Sequence, residues 1–320
     1  MNRERKVVDY LRISVTDRCN LRCVYCMPPG GVEFIPHESV LTYEEIAFFV
    51  RVAVDLGFSK VRLTGGEPLV RRGLPWLVNQ LATTPGIVDI SLTTNGILLP
   101  RYAADLKKAG LNRVNISVDT LDPERYRRVT RGGSLEQALQ GVEAAFAARL
   151  APVKINAVLT EESLDELEGF VELTRERPLH IRFIEWMPVG GCGPASPVDG
   201  PTRDEVIARL DSMGRLEPAP SPGGWGPARY FAFAGHRGTL GFISAMSDHF
   251  CADCNRLRLT ADGRLKNCLF SDDEVEVREP LREGNAEETA RRIQESLARK
   301  TFNRFCIPEA NRRGMSQIGG

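Results

Sequence analysis

The feature that most constrains this chain is an alternation: between Val7 and about Trp186, short Val-, Ile- and Leu-rich runs are separated by amphipathic stretches, six times over. The runs are Tyr10–Val15, Lys60–Thr64, Asp89–Thr93, Arg113–Val118, Val153–Leu159 and His180–Glu185. They show little polar alternation, which is expected of parallel strands buried on both faces. Between them one helix opens at Thr42, with Glu45 completing a capping box, and ends at Gly57. Others run from about Arg101 to Ala109, from near Ser134, and from near Ser163 with Glu166 as its capping partner. Strand and helix in alternation predict an α/β fold on a parallel sheet. Periodicity alone does not separate an open doubly wound sheet from a barrel. Six units fall short of the eight that close a (β/α) barrel.

Near Pro188 the texture changes. Residues 188–228 hold eight glycines and eight prolines around one helical stretch, Thr202 to about Asp211. Such density reads as a long connection. Beyond it come β-like segments (Arg229–Ala234, Thr239–Ile243), a hairpin signal at Asp262-Gly263, a charged helix over roughly Ala286–Lys300, and a polar tail from Gly314 to Gly320. The expected organisation is a sheet domain over 1–190, a connection over 191–228 and a C-terminal α+β extension over 229–320.

The chain has 320 residues, with 42 Lys+Arg against 42 Asp+Glu. Zero net charge and 42% hydrophobic residues argue against disorder and against a broad nucleic-acid-binding surface. No apolar run approaches the roughly 20 residues of a membrane helix, and Met1–Asp9 is too polar for a signal peptide. These features predict a cytoplasmic protein, with no membrane partner.

In a reducing compartment the eight cysteines need another purpose than disulfides. Six fall into two groups: Cys19, Cys23 and Cys26, then Cys251, Cys254 and Cys268; Cys192 and Cys306 stand apart. Grouped thiols point to metal. The first group is C-x3-C-x2-C, in a loop just past the first strand. Three thiolates hold a zinc if a fourth ligand arrives, or an iron–sulfur cluster with one iron left open. The nearest histidine to the first group, His37, is eleven residues from Cys26. The second strand ends Thr64-Gly65-Gly66-Glu67-Pro68, where paired glycines let a ligand approach the backbone closely. For the second group a zinc with His249 as fourth ligand competes with an auxiliary cluster.

The two N-terminal motifs together, C-x3-C-x2-C with Tyr25 before its last cysteine and then Gly-Gly-Glu-Pro, resemble those of the radical S-adenosylmethionine (SAM) enzymes. That resemblance implies an incomplete (β/α)6 TIM-type barrel. It implies a [4Fe–4S] cluster on Cys19, Cys23 and Cys26 whose open iron is chelated by SAM, and cleavage of SAM to a hydrogen-abstracting radical. Further on, Asn255-Arg256-Leu257-Arg258 between the second set of cysteines is similar to the branch of that superfamily that cyclises GTP in molybdenum-cofactor biosynthesis. So are Thr16-Asp17-Arg18-Cys19-Asn20, Thr64–Arg72, Arg182-Phe183-Ile184-Glu185, Gly241–Ser244, Asn267–Phe270 and the terminal Gly319-Gly320.

The resemblance implies a second [4Fe–4S] cluster on Cys251, Cys254 and Cys268 that binds the guanine. It implies GTP contacts from Arg12, Arg62, Thr93, Lys154, Arg256, Leu257 and Arg258, and SAM contacts from Tyr25, Gly65, Gly66, Glu67, Ser117 and Met187. Gly319 and Gly320 would reach into the active site and serve catalysis. Implied partners are an external electron donor and a downstream cyclic pyranopterin monophosphate synthase, and a homodimer is compatible. From the residues themselves, Arg forks on one strand face suit phosphate. Thr64–Gly66, Thr93–Asn95, Ser117 and Met187 fall at or just past strand C-termini, where α/β folds place ligand sites. Lys154 instead opens its strand. The sequence Lys300-Thr301-Phe302-Asn303 departs from the family's Lys-Pro-x-x-His, a departure expected to touch no motif residue. The competing readings are a peptide-modifying radical SAM enzyme, which lacks the Asn-Arg-Leu-Arg stretch, and a zinc-stabilised binding protein.

Overall fold

The computed structural model describes residues 7–189, 200–303 and 313–319, so Cys192, Cys306 and Gly320 lie outside the described residues. Six strands, β1 (Tyr10–Ser14), β2 (Lys60–Thr64), β3 (Asp89–Thr94), β4 (Arg113–Ser117), β5 (Val153–Val158) and β6 (Leu179–Ile184), pair in parallel in sequence order. They form a barrel that does not close. Its connections carry α1 (Tyr43–Asp55), α2 (Leu74–Ala82), α3 (Leu99–Lys108), α4 (Pro123–Thr130), α5 (Leu135–Ala147) and α6 (Leu167–Glu172).

Local chemistry explains the helix ends. Thr42 accepts from the Glu45 amide at 3.1 Å while Glu45 Oε2 accepts from the Thr42 amide at 2.6 Å, the expected capping box. Helix α4 was not expected; Asp122 caps it by accepting from the Arg125 amide at 2.6 Å, with Pro123 at its first position. Glu166 does not cap a helix at Ser163. Thr160 and Ser163 form that cap, and Glu166 accepts instead from the Thr120 hydroxyl and the Leu121 amide and pairs with Arg125.

The strands do alternate, contrary to expectation. Leu11, Ile13, Val61, Leu63, Ile90, Leu92, Val114, Ile116, Ile155, Ile181 and Phe183 bury against the helices. Each contributes about 1.5–3 kcal/mol of transfer free energy. Tyr10, Arg12, Lys60, Arg62, Ser91, Thr93, Arg113, Asn115, Lys154, Asn156, His180 and Arg182 occupy the alternate positions, which face the barrel interior. Both faces are covered, as expected, yet only one is apolar.

The C-terminal third does not sit beside the barrel. It extends the barrel sheet at both edges. After α7 (Arg203–Asp211) come β7 (Leu216–Ala219), β8 (Arg229–Phe233) and β9 (Thr239–Ile243), and β9 runs parallel to β6. Then β10 (Arg256–Leu259) runs parallel to β1 at the opposite edge, followed by β11 (Arg264–Lys266), β12 (Glu274–Glu276), α8 (Arg278–Arg282) and α9 (Ala286–Ala298). The result is one twelve-stranded sheet, β12-β11-β10-β1-β2-β3-β4-β5-β6-β9-β8-β7. Residues 200–228 are thus more than a connection, since β7 is hydrogen-bonded into that sheet. Phe170, Phe183, Phe242 and Phe231 stack in series at 5.6–5.7 Å and weld the β8–β9 edge to the barrel. The hairpin at Asp262-Gly263 joins β10 to β11 as expected. The tail is not loose: α10 (Met315–Ile318) is a short helix with Ser316 and Ile318 buried. No helix among the described residues is long and apolar enough to cross a membrane.

Candidate active site

The two N-terminal motifs touch. A Cβ on Gly65 would stand 2.5 Å from the Thr16 carbonyl oxygen, and one on Gly66 would stand 2.4 Å from that of Arg18. The glycines are therefore required by the backbone that leads into the cysteine loop, whatever else they contact. Gly66 and Glu67 donate their amides to Thr16 and Arg18 at 2.7 and 2.8 Å, fastening the loop to the end of β2. Glu67, almost fully buried, accepts from the Leu69 amide, the Thr94 hydroxyl and the Asn95 amide at 3.0, 2.8 and 2.7 Å. Burial pushes its carboxyl up to about 7. Most of its acceptor capacity is spent on the scaffold.

Asn95 then donates to Asn20 at 2.8 Å and lies within 4.0 Å of the Cys19 sulfur. Tyr25 donates to Asp119 at 2.6 Å, and Asp119 also accepts from the Val158 amide at 3.0 Å. Asn95 falls in the strand-end segment Thr93–Asn95 expected to border a ligand site, whereas Asp119 was not singled out in the sequence; its signal is position, just past β4. Ser117, half-buried, closes β4 beside them. Burial pushes the Cys19 thiol up to about 11.

The second triad has a different electrostatic setting. Burial opposes ionisation of Cys254, but Arg256 and Lys300 outweigh it and draw the thiol down to about 6. The charged helix ends at Ala298, short of the expected Lys300, and Lys300 just beyond it places its ammonium on the Cys254 sulfur at 3.5 Å, the Arg256 carbonyl at 3.0 Å and the Asn267 carbonyl at 2.6 Å. Lys300 is the residue this chain shares with the family pattern, and Thr301, where the departure begins, lies on the wall of a cavity that the second triad also borders. His249 lies against the Ala245 carbonyl, with Nδ1 at 2.9 Å from its oxygen. Glu185 accepts from the amides of Met246 and Ser247 at 2.7 and 2.9 Å and so holds the loop leading to Cys251.

A cavity of about 160 Å³ lies inside the sheet. Cys251, Cys254 and Cys268 border it, together with Thr93 and Met187. Five arginines line it, Arg12, Arg62, Arg182, Arg256 and Arg258, and none has a carboxylate partner among the described residues. Arg12 Nε and Thr93 Oγ1 are buried there with no hydrogen-bond partner. Burial and the neighbouring arginines pull Arg12 well below the usual range, and Arg258 down to about 10. Burial likewise lowers Arg182, whose guanidinium donates to Asn156 and Asn115 at 2.9 and 2.6 Å. Packed cations without anions make a site preformed for a polyanion.

Two expected GTP contacts sit elsewhere. Leu257 falls between the arginines on β10, so its side chain turns into the apolar core and only its backbone belongs to the arginine strand. Lys154, near the start of β5, does not line the cavity; its ammonium donates to the Gly223 carbonyl. Cys19, Cys23 and Cys26 do not line it either, and the tail bridges the distance. Gly314 lies beside the Cys26 carbonyl, Met315 is on the cavity wall, and Gly319 is buried against Ser14 and Thr64.

The donor sets fit iron–sulfur ligation. Each triad is three cysteines free of disulfides, and no group of His, Cys, Asp or Glu among the described residues is gathered to hold a single ion. An open barrel, a three-cysteine loop after its first strand and a Gly-Gly-Glu-Pro segment locked onto that loop together define the radical SAM class. The Radical SAM superfamily pattern matches residues 13–174, and the pattern described as Molybdenum Cofactor Synthesis C matches residues 179–305. In fold, the chain is similar to Streptococcus suis SuiB bound to S-adenosylmethionine, with a TM-score of 0.60 at 14% identity over 86% of this chain and 64% of that one. It is also similar to methylornithine synthase (PylB), with a TM-score of 0.52 at 19% identity over 65% of this chain and 63% of that one. Curated relatives are much nearer in sequence. GTP 3′,8-cyclase of Pelotomaculum thermopropionicum is 49% identical over 99% of this chain and 98% of the relative, and that of Moorella thermoacetica is 49% identical with the same coverage. The chain belongs to the GTP 3′,8-cyclase family.

Proposed function

We propose that this chain is a radical SAM GTP 3′,8-cyclase, a lyase that converts GTP to (8S)-3′,8-cyclo-7,8-dihydroguanosine 5′-triphosphate in molybdenum-cofactor biosynthesis. The observation that carries it is the arginine-lined cavity bordered by three thiols, a polyanion pocket joined to a metal-binding wall. Cys19, Cys23 and Cys26 would hold the SAM-binding [4Fe–4S] cluster, and Cys251, Cys254 and Cys268 the second. When bound, SAM and the first cluster supply reductive cleavage and a hydrogen-abstracting carbon radical. The chain's own residues do the rest by binding and positioning.

Arg12, Arg62, Arg256 and Arg258 neutralise the triphosphate through charge-assisted hydrogen bonds. Their carboxylate-free setting means that nothing must be displaced before phosphate binds. Thr93 brings an unspent hydroxyl to the same wall. Tyr25, Gly65, Gly66, Glu67, Ser117 and Met187, in the first cysteine loop or at the strand ends, would be the SAM contacts, with Glu67 also tying the Leu69 and Asn95 amides together. Gly319 completes the pocket from the tail, and Gly320 would serve catalysis with it. Leu257 contributes through its backbone. An external electron donor, a downstream cyclic pyranopterin monophosphate synthase and a cytoplasmic setting complete the proposal, with a homodimer compatible.

The test is anaerobic incubation of reconstituted protein with GTP, SAM and a reductant, followed by mass analysis. Both 5′-deoxyadenosine and a cyclised nucleotide are expected. SAM cleavage with GTP unchanged would overturn the cyclase reading. Stoichiometric zinc in place of iron would overturn the whole of it.

A further inference from the structure

The barrel has a second mouth, at the N-terminal ends of its strands, and one segment crosses it. Lys60 opens β2, Arg113 opens β4 and Lys154 is the second residue of β5. The β7–β8 connection, residues 220–228, meets all three in succession. The Gly223 carbonyl accepts from the Lys154 ammonium. A Cβ on Gly224 would stand 2.8 Å from the guanidinium carbon of Arg113, so a side chain there would push that guanidinium aside. The Trp225 ring lies 3.5 Å from the Lys60 ammonium, a close cation–π contact. Gly223 and Gly224 both hold positive φ, +99° and +85°, which bends the strap across the opening. Its inner surface, Trp225, Gly226 and Pro227, borders the arginine-lined cavity.

We infer that this strap is the floor of the nucleotide chamber and limits the phosphate chain that the chamber accepts; the inference rests on the GTP reading above. Trp225 is 45% exposed, so its ring is half-buried, with one part against Lys60 and the cavity wall and the rest open at the mouth. Lys60 and Arg113 already have carboxylate partners in Asp9 and Asp89, so the strap is not needed to neutralise them. Lys154 differs. Its partners are a backbone carbonyl and the Tyr230 ring at 5.6 Å, both neutral and both displaceable by a phosphate oxygen. The arginines thus grip the chain from the sides, Lys154 meets it at the end, and Trp225 blocks anything longer.

The experiment compares equilibrium binding of GTP and of GTP bearing an anilide on its γ-phosphate, by anaerobic titration calorimetry with the reconstituted full chain. The wild type should bind the anilide at least about tenfold more weakly than GTP, a steric rejection. Trp225→Ala should bring the two within about threefold of each other by removing the block, while Trp225→Phe should keep the discrimination. Equal binding of the two ligands by the wild type, or undiminished discrimination in Trp225→Ala, would overturn the strap's role while leaving the GTP reading intact. Failure of the wild type to bind GTP at all would overturn that reading, and this inference with it.

Discussion

Arg258 donates through Nη1 to the Gly319 carbonyl at 2.7 Å, tying the strand beside the second cysteine triad to the end of the tail. One residue of the expected phosphate clamp therefore also anchors the tail. The far end of the same segment is anchored by Arg313, which pairs with Asp262 and Glu274 at 2.8 Å each. Binding of substrate at the arginines and seating of the tail are thus mechanically connected.

Replacing Gly319 with Ala should unseat the tail. Gly319 holds φ +87°, and a Cβ there would stand 2.9 Å from Thr64 Cγ2 and 3.0 Å from Ser14 Cβ. Backbone strain alone costs roughly 1–3 kcal/mol. The expected outcome is loss of cyclised nucleotide with 5′-deoxyadenosine still formed, read as the ratio of the two products. A ratio unchanged from wild type would remove the tail from the chemistry.

Nucleotide binding should take up a proton at pH 8. Burial, reinforced by Arg182, Arg113 and Arg62, draws Lys154 down to about 6, so in the free protein it is neutral at that pH. A triphosphate favours the charged form and raises the value again. Between pH 6 and the raised value, GTP affinity should fall as pH rises, by up to about tenfold per unit for one linked proton. Calorimetry in buffers of different ionisation enthalpy measures the uptake. Lys154→Met should abolish it; uptake that persists in this variant would assign the proton to another group.

Lys300→Met should weaken the second metal site and spare the first. The ammonium satisfies two carbonyls and contacts the Cys254 sulfur, and removing one partner of a buried hydrogen bond costs roughly 1–3 kcal/mol. Iron in the reconstituted protein should drop from about eight per chain toward about four, as it should in Cys251→Ser. Full iron content in Lys300→Met would show that the ammonium is not needed for loading.

Glu67→Gln tests whether this carboxylate is scaffold. Three donors converge on Glu67 and a Gln amide accepts through one oxygen only, so at least one buried donor loses its partner, at about 1–3 kcal/mol. Thermal unfolding of the metal-free chain should shift down and SAM affinity should fall with it. Weaker SAM binding with unchanged unfolding would instead make Glu67 a direct contact.

Much of this was legible along the chain because it is encoded by local pattern. Strand β2 falls on its expected residues, Lys60–Thr64, and β9 on Thr239–Ile243, because each is a short β-favouring run bounded by breakers. The capping box at Thr42 and the turn at Asp262-Gly263 involve residues within four positions of one another, so sequence suffices to specify them. Cysteine spacing and the Gly-Gly-Glu-Pro segment named the chemistry for the same reason.

What the chain could not announce is whatever depends on partners far apart in sequence. Gly65 and Gly66 are there for the backbone of Thr16 and Arg18, some fifty residues earlier, and read locally as a ligand cradle. Nothing in their own neighbourhoods joins Arg12, Arg62 and Arg182 to the arginines of β10 until sheet pairing sets β10 beside β1 and gathers all five around one cavity. Trp225 carries no motif and Lys300 only the first letter of one, and only folding places one on the barrel mouth and the other on a cysteine sulfur. Local conformational preference is written in neighbouring residues, whereas the juxtaposition of charges and donors is decided by which strands pair, a choice made by the whole hydrophobic core at once.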